Sequence, residues 1–400
     1  MTPPRRNHAD DLRGATRLAL DATTGVMELV EAMHRTIASG PALLGRPLEG
    51  PARVATQLAY GYLRGVATLV GAGLDAALAR LGPALGESVP GPEREAVLAA
   101  LNGVVGDYLA ERGNPLAIEM RLRHGGAPLD LDAASLRAAF PEARARVVVL
   151  VHGSSLSDVQ WLRNGHDHGA ALARDLPCTA LYLHYNSGLH VSTNGRSLAA
   201  LLERLVEAWP VDVEALDLVG HSMGGLVVRA ACHAGEAEAH GWRRRLKKLV
   251  TLATPHHGAP MERGGNHVEF LLGASRYSRP FRRLARLRSA GVTDLRYGNV
   301  LDAHWEGRDR FAHGGDPRAV LALPEGVACF AAAATTAAGP RARLPGDGLV
   351  PVDSALGRHP RPELTLRFPE ANQWLGYGLG HLDLLDRPEV YEVLRGWLAR

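Results

Sequence analysis

The chain has 400 residues, 46% of them hydrophobic and 22% charged, with a formal net charge of only +3. That balance is globular, with material for one large core plus an accessory region, and it excludes a disordered or strongly basic chain. Lys247 and Lys248 are the two lysines among otherwise arginine cations, and no basic run is interleaved with aromatics, so nucleic acid is not an expected partner. Three cysteines, Cys178, Cys232 and Cys329, lie in apolar surroundings and read as buried free thiols of a reducing compartment. The first 14 residues carry no apolar h-region, and no run reaches about 18 apolar residues, so a cytoplasmic location without a membrane span is expected.

Three helical stretches open the chain. Leu12, Ala15, Ala19, Ala22, Val26, Leu29, Met33 and Ile37 step by three or four residues, as an amphipathic helix requires. A second stripe runs through Val54, Leu58, Tyr62, Val66, Leu69, Gly73 and Leu78, and a third through Val97, Leu101, Val104 and Tyr108 after Pro90-Gly91-Pro92. Residues 1–113 are therefore expected to form a helical region packed on itself or on the remainder of the chain, with peripheral membrane contact as the alternative. Gly113-Asn114-Pro115 marks a boundary. Beyond it Ile118, Met120 and Leu122 alternate with charged residues and predict the first strand of a sheet.

Residues 146–151, Arg-Val-Val-Val-Leu-Val, form a β-branched run that empties into His152-Gly153-Ser154-Ser155, as a strand buried on both faces would. His166, Asp167 and His168 read as a polar helix start. Helical patterns at 198–209 and 226–240 alternate with strand patterns at 216–219 and 248–253, the rhythm of βαβ units around a parallel sheet. Gly220-His221-Ser222-Met223-Gly224-Gly225 follows the 216–219 strand directly and has the form of a nucleophile elbow, in which small residues flank a serine at a strained strand-to-helix turn. The N–H of Met223, just after that serine, can donate to an oxyanion, and the loop after residue 151 can supply a second N–H.

A serine hydroxyl needs a histidine to take its proton and an acid to orient that histidine. The late acids at loop positions are Asp347, Asp353, Asp383 and Asp386, and the late histidines are His359 and His381. Asp347 follows the apolar run 328–334. His381 follows a strand-like Leu364-Thr365-Leu366-Arg367-Phe368, so Ser222, Asp347 and His381 each fall in a loop after a separate predicted strand. Asp353 is better suited to capping a helix at Ser354-Ala355-Leu356. Between His257 and Ala328 the βα rhythm breaks, predicting a cap insertion at about 259–327 that could cover the site. Phe270, Leu271, Leu272, Tyr277 and Phe281 are either its pocket lining or its own small core. The adjacent His256 and His257 read as a loop-stabilising pair rather than metal ligands, and Arg243-Arg244-Arg245 with Lys247-Lys248 as a solvated helix end.

Taken together, the His152-Gly153 turn, the elbow at 220, Thr254-Pro255-His256-His257-Gly258, Asp347-Gly348-Leu349-Val350 and Gly380-His381-Leu382-Asp383 resemble bacterial lipases and esterases of the α/β-hydrolase superfamily, including the lipase-like relatives of glycosylphosphatidylinositol inositol-deacylase. The resemblance covers roughly residues 115–400 and no motif of the N-terminal region. It implies an α/β-hydrolase fold over 114–400, a mostly parallel central sheet with helices on both faces, behind the helical region 1–113 and carrying a lid or cap insertion. It further implies Ser222 as nucleophile, Asp347 as acid, His381 as base and the backbone of Ser154 and Met223 as oxyanion donors. Asp383 resembles a calcium ligand of some bacterial lipases, but no second ligand can be named. The expected activity is hydrolysis of a small-molecule or lipid carboxylic ester through an acyl-enzyme, without cofactor or metal. Thioester hydrolysis or acyl transfer by the same triad is the alternative, and so is a membrane-peripheral module whose hydrolase part is vestigial.

Overall fold

In the computed structural model the described residues are 13, 14, 17, 92–258, 288–309, 316, 318, 319, 321–342 and 344–400. Apart from residues 13, 14 and 17, which are helical, the helices expected at 12–37 and 54–78 lie outside them, as do the aromatic and leucine positions of the insertion at 270–281. Two compact units divide the chain, one made of Met1–Pro90 with Leu109–Ala117 and the other of Gly91–Tyr108 with Ile118–Arg400. In the first, Asn114 donates through Nδ2 to the Gly14 carbonyl at 3.1 Å and accepts through Oδ1 from Leu116 N–H at 2.9 Å. No helix of the described residues is long and apolar enough to cross a membrane.

The second unit is built on an eight-stranded sheet: β1 (Arg121–His124), β2 (Ala127–Pro128), β3 (Arg146–Val151), β4 (Thr179–His184), β5 (Ala215–His221), β6 (Leu246–Leu252), β7 (Ala328–Thr335) and β8 (Gln373–Tyr377). Its order is β2-β1-β4-β3-β5-β6-β7-β8. From β4 to β8 neighbouring strands run parallel, whereas β1 is antiparallel to both β2 and β4. Strand residues alternate between two cores, which is why their sequences read as continuous apolar runs. Val147, Val149 and Val151 face one core, with Leu198 and Leu202 of α4 (Val191–Ala208) and Leu226 of α5 (Met223–Ala237). Val148 and Leu150 face the other, with Leu172 of α3 (His168–Asp175) and Leu394 and Leu398 of α8 (Pro388–Ala399). Each Leu or Val buried this way contributes about 1.5–3 kcal/mol, and helices on both faces make the sheet a rigid platform for the loops at its carboxyl edge.

The remaining helices are α1 (Pro92–Glu111), bent at Val105 with φ −133°, α2 (Ala133–Ala139), α6 (Ala290–Asp294) and α7 (Val352–Ala355). Asp167 caps α3, accepting from Ala170 N–H at 2.9 Å, as its polar start predicted. The three cysteines are buried and unpaired.

Three sequence expectations are corrected. Pairing of the first strand begins at Arg121, not Ile118. Residues 364–368 are not a strand: Pro362 starts a short 3-10 turn ending at Leu364, and the strand ahead of His381 is β8. Leu364, Leu366 and Phe368 alternate because each is buried, while their N–H groups bond to the carbonyls of Arg361, Gly357 and Leu366 at 3.1, 2.8 and 3.0 Å, in turns and a single loop contact rather than a strand ladder. Asp353 does not cap α7. Pro351 holds the cap position, no side chain bonds to the helix end, and Asp353 is exposed in the first turn.

Candidate active site

Strand β5 ends at His221, and α5 begins at Met223, leaving Ser222 alone to make the turn, at φ 53° and ψ −124°. A serine in this left-handed region is strained. Its cost is carried by packing that admits glycine only: a Cβ on Gly220 would lie 2.5 Å from Gly225 N, and one on Gly224 2.2 Å from the Val151 carbonyl oxygen. The Ser222 N–H donates to the Leu252 carbonyl at 2.8 Å, fixing the elbow to the end of β6.

Asp347 and His381 converge from the loops after β7 and β8. Asp347 Oδ1 accepts from the N–H groups of Leu349 and Val350 at 2.9 and 2.7 Å, which aims Oδ2 at His381 Nδ1, 2.8 Å away. Both residues are buried, 2% and 1% exposed, and His381 N–H also donates to the Asp347 carbonyl at 3.0 Å. A carboxylate can only accept, so the proton of the neutral His381 ring sits on Nδ1 and leaves a lone pair on Nε2. That Nε2 is buried and meets no hydrogen-bond partner among the described residues, Ser222 Oγ included. Catalytic hydrogen bonds are commonly long before substrate arrives.

His221, adjacent to Ser222, holds His381 from the other side. Its Nε2 donates to the His381 carbonyl at 3.1 Å, and the two rings lie 4.8 Å apart. Burial keeps His221 well below the ordinary histidine range, hence neutral. Sequence reasoning passed over His221, although it lies inside the elbow motif.

The turn after β3 lies against the elbow. A Cβ on Gly153 would come 3.0 Å from Ser222 Cβ and 3.3 Å from His221 Nδ1. The N–H groups of Ser154 and Met223 donate to no acceptor among the described residues, so both remain available to a ligand oxygen. Asp383 accepts from Gly380 N–H at 2.7 Å, bracing the loop that carries His381. His256 and His257 stabilise loops: His256 Nε2 lies 3.3 Å from Thr251 Oγ1, and His257 Nε2 donates to the Gly357 carbonyl at 2.9 Å. Asp386 and His359 lie elsewhere, pairing with Arg163 and facing Asp316 respectively.

A second polar group went unread in the sequence. Glu95 of α1, Asp158 and His184 are all buried and bring one ligand-type atom each within 4.8 Å of one another. Arg123 Nη1 sits between the carboxylates, 2.9 Å from Glu95 and 3.1 Å from Asp158. These residues come from α1, β1, the loop after β3 and β4, and no motif spacing links them.

Residues 142–313 match the family model described as PGAP1-like alpha/beta domain. Among solved structures, the chain is similar to the mature lipase BlEst2 of Bacillus licheniformis, at 16% identity over 70% of this chain and 98% of that one, with a TM-score of 0.43. It is similar also to the esterase Pf2001 of Pyrococcus furiosus (13% identity, 64% and 83% covered, TM-score 0.37) and to the phospholipase PlaB of Legionella pneumophila (15%, 52% and 45%, TM-score 0.32). No curated protein matches the chain by sequence.

Proposed function

We propose that the chain is an α/β-hydrolase, as its match to a PGAP1-like alpha/beta domain over residues 142–313 and its mostly parallel eight-stranded sheet support, and that it is a serine hydrolase cleaving carboxylic esters through an acyl-enzyme. The observation that carries the reading is the His381 ring, with Nδ1 held 2.8 Å from buried Asp347, Nε2 buried without a partner among the described residues, and the ring packed against His221, the residue before the strained serine. A buried ring nitrogen left unpaired costs stability, and a group that takes up a proton during the reaction is one reason to retain it.

In this reading Ser222 Oγ attacks the ester carbonyl carbon while its proton passes to His381 Nε2. Asp347 stabilises the imidazolium that results, and the N–H groups of Ser154 and Met223 hold the oxyanion. The carbon–oxygen bond to the alcohol then breaks, and His381 returns the proton to the departing alkoxide. Water repeats the sequence on the acyl-enzyme, releasing the acid and restoring Ser222. No step calls for a cofactor or metal. A small-molecule or lipid ester in the cytoplasm, reached with or without peripheral membrane contact, is the proposed substrate setting. The test is labelling by a fluorophosphonate: wild type should be modified at Ser222 and lose p-nitrophenyl ester hydrolysis in step with labelling. Absence of both, in folded protein, overturns the reading. Labelling with acyl-enzyme accumulation, but turnover only when an alcohol or thiol is added, would make the reaction acyl transfer.

A further inference from the structure

We propose that the buried ionic group Glu95–Arg123–Asp158–His184 is a positioning device for the oxyanion turn, which makes helix α1 a working part of the catalytic apparatus. The inference rests on the hydrolase reading above, and specifically on Ser154 N–H as an oxyanion donor.

The turn from His152 to Asp158 is pinned along its length. At its start Tyr185 Oη donates to the His152 carbonyl at 2.9 Å. In the middle Ser155, at φ 59°, donates its N–H to Ser187 Oγ at 2.9 Å. At its end Asp158 Oδ1 meets Arg123 Nη1 at 3.1 Å and His184 Nδ1 at 3.0 Å. Burial alone would raise the Asp158 pKa, but His184 and Arg123 more than offset it and hold the carboxyl below its ordinary range.

Helix α1 reaches this turn at two points. Glu95 shares the Arg123 guanidinium with Asp158, at 2.9 Å, and also faces His184 Nε2 at 3.6 Å. Two turns further on, Gly103 packs so closely on the oxyanion turn that a Cβ there would lie 2.0 Å from Ser155 Oγ and 2.8 Å from Ser155 Cα. Eight residues of helix separate these contacts, roughly 12 Å of a stiff rod. Ser154 therefore sits in a segment held by a rigid element at both its centre and its end. A surface ion pair would have little such leverage, but these four side chains are nearly excluded from water, the most exposed being Arg123 at 13%. Removing one leaves the others uncompensated and forces the segment to move. Arg123 also supplies the positive charge that a metal ion would otherwise bring to the two carboxylates.

The role predicts a kinetic signature. Oxyanion donors act on charge that develops only in the transition state, so a displaced donor lowers kcat and leaves KM nearly untouched. In the full-length protein, Arg123→Met and Gly103→Ala should each lower kcat for p-nitrophenyl butyrate, per active site titrated with fluorophosphonate, by about 10- to 100-fold with KM within about twofold. Arg123→Lys, which keeps the charge, should recover most of that loss. A merely structural role would lower Tm and the titratable fraction but leave kcat per titrated site at the wild-type value, and that result overturns the proposal. Should Arg123→Met fail to fold, Gly103→Ala decides by the same criterion, since it leaves all four side chains of the group in place. Loss of wild-type kcat in EDTA that Arg123→Met does not share would make the group a metal seat and also overturn it. A wild type that neither labels nor turns over sinks the hydrolase reading itself, whereas an active wild type with unaffected variants sinks only the positioning role.

Discussion

His221 Nε2 donates to the backbone carbonyl of His381 at 3.1 Å, so the residue before the strained serine holds the loop of the proposed base. Replacing His221 by Ala removes the donor and leaves a buried carbonyl unpaired, which costs about 1–3 kcal/mol. We expect a lower Tm and also a lower kcat per folded molecule, because the His381 ring loses a fixed seat beside Ser222. Measured kcat at the wild-type level after correction for the folded fraction would restrict His221 to packing.

Ser222→Ala should abolish p-nitrophenyl ester hydrolysis, a loss on the order of 10⁴-fold or more by analogy with triad knockouts. The elbow is held by glycine packing at 220 and 224 and by the Ser222 N–H bond to Leu252, none of which involves the hydroxyl. Circular dichroism and Tm should therefore match wild type. Residual turnover near the wild-type rate in such a folded protein excludes Ser222 as nucleophile.

The elbow could be read in the sequence because its backbone leaves a mark: no Cβ fits at Gly220 or Gly224, so the glycines appear where the turn demands them. Asp347 was legible in a similar way, since the turn that delivers two N–H groups to its Oδ1 contains Gly346 and Gly348, both at positive φ. The strand before His381 was not. Gln373–Tyr377 is short, contains Gly376 and lies at the sheet edge, while 364–368 imitates a strand because alternate side chains are buried without a ladder. Least legible was the ionic group around Arg123, whose partners lie 28 and 35 residues away along the chain. Single charged residues in a sequence look like solvated ones until the fold removes the water.

Asp347 and Asp353 should separate cleanly. Asp347→Asn keeps the shape of the turn but weakens the hold on the productive His381 tautomer and on the imidazolium, which in a serine protease lowers turnover about 10⁴-fold. Its Tm should fall modestly, since the amide oxygen can still accept from Leu349 and Val350. Asp353 is 75% exposed at its side chain, 3.7 Å from Arg358, and caps nothing. Asp353→Ala should therefore leave kcat unchanged and cost no more than about 1 kcal/mol through the lost helix-dipole contact. Reversed kinetics in the two variants would transfer the acid's role to Asp353.

Acid should destabilise the fold before it protonates most carboxylates. Burial pushes His168 down to about 4 and His152 down to about 3, while His221 and His256 also fall well below the ordinary value of 6.5. In the unfolded chain these rings take up protons near their ordinary value; in the folded chain they resist until the lower one. Between the two the unfolded state binds more protons, so stability is fully present above about pH 6.5 and is lost as pH falls. Each such ring contributes a slope of about 1.4 kcal/mol per pH unit, so His168 and His152 alone give roughly 3 kcal/mol per unit near pH 5. Urea midpoints at pH 8, 7, 6 and 5 should be level at the first two and drop through the last two. His168→Gln removes one titrating ring while its amide can still donate to the Leu384 carbonyl, which His168 Nε2 meets at 2.9 Å. That variant should lose about one proton's share of the slope and keep the rest. A wild-type midpoint that stays flat from pH 7 to pH 5 would mean that these histidines reach water before the protein unfolds.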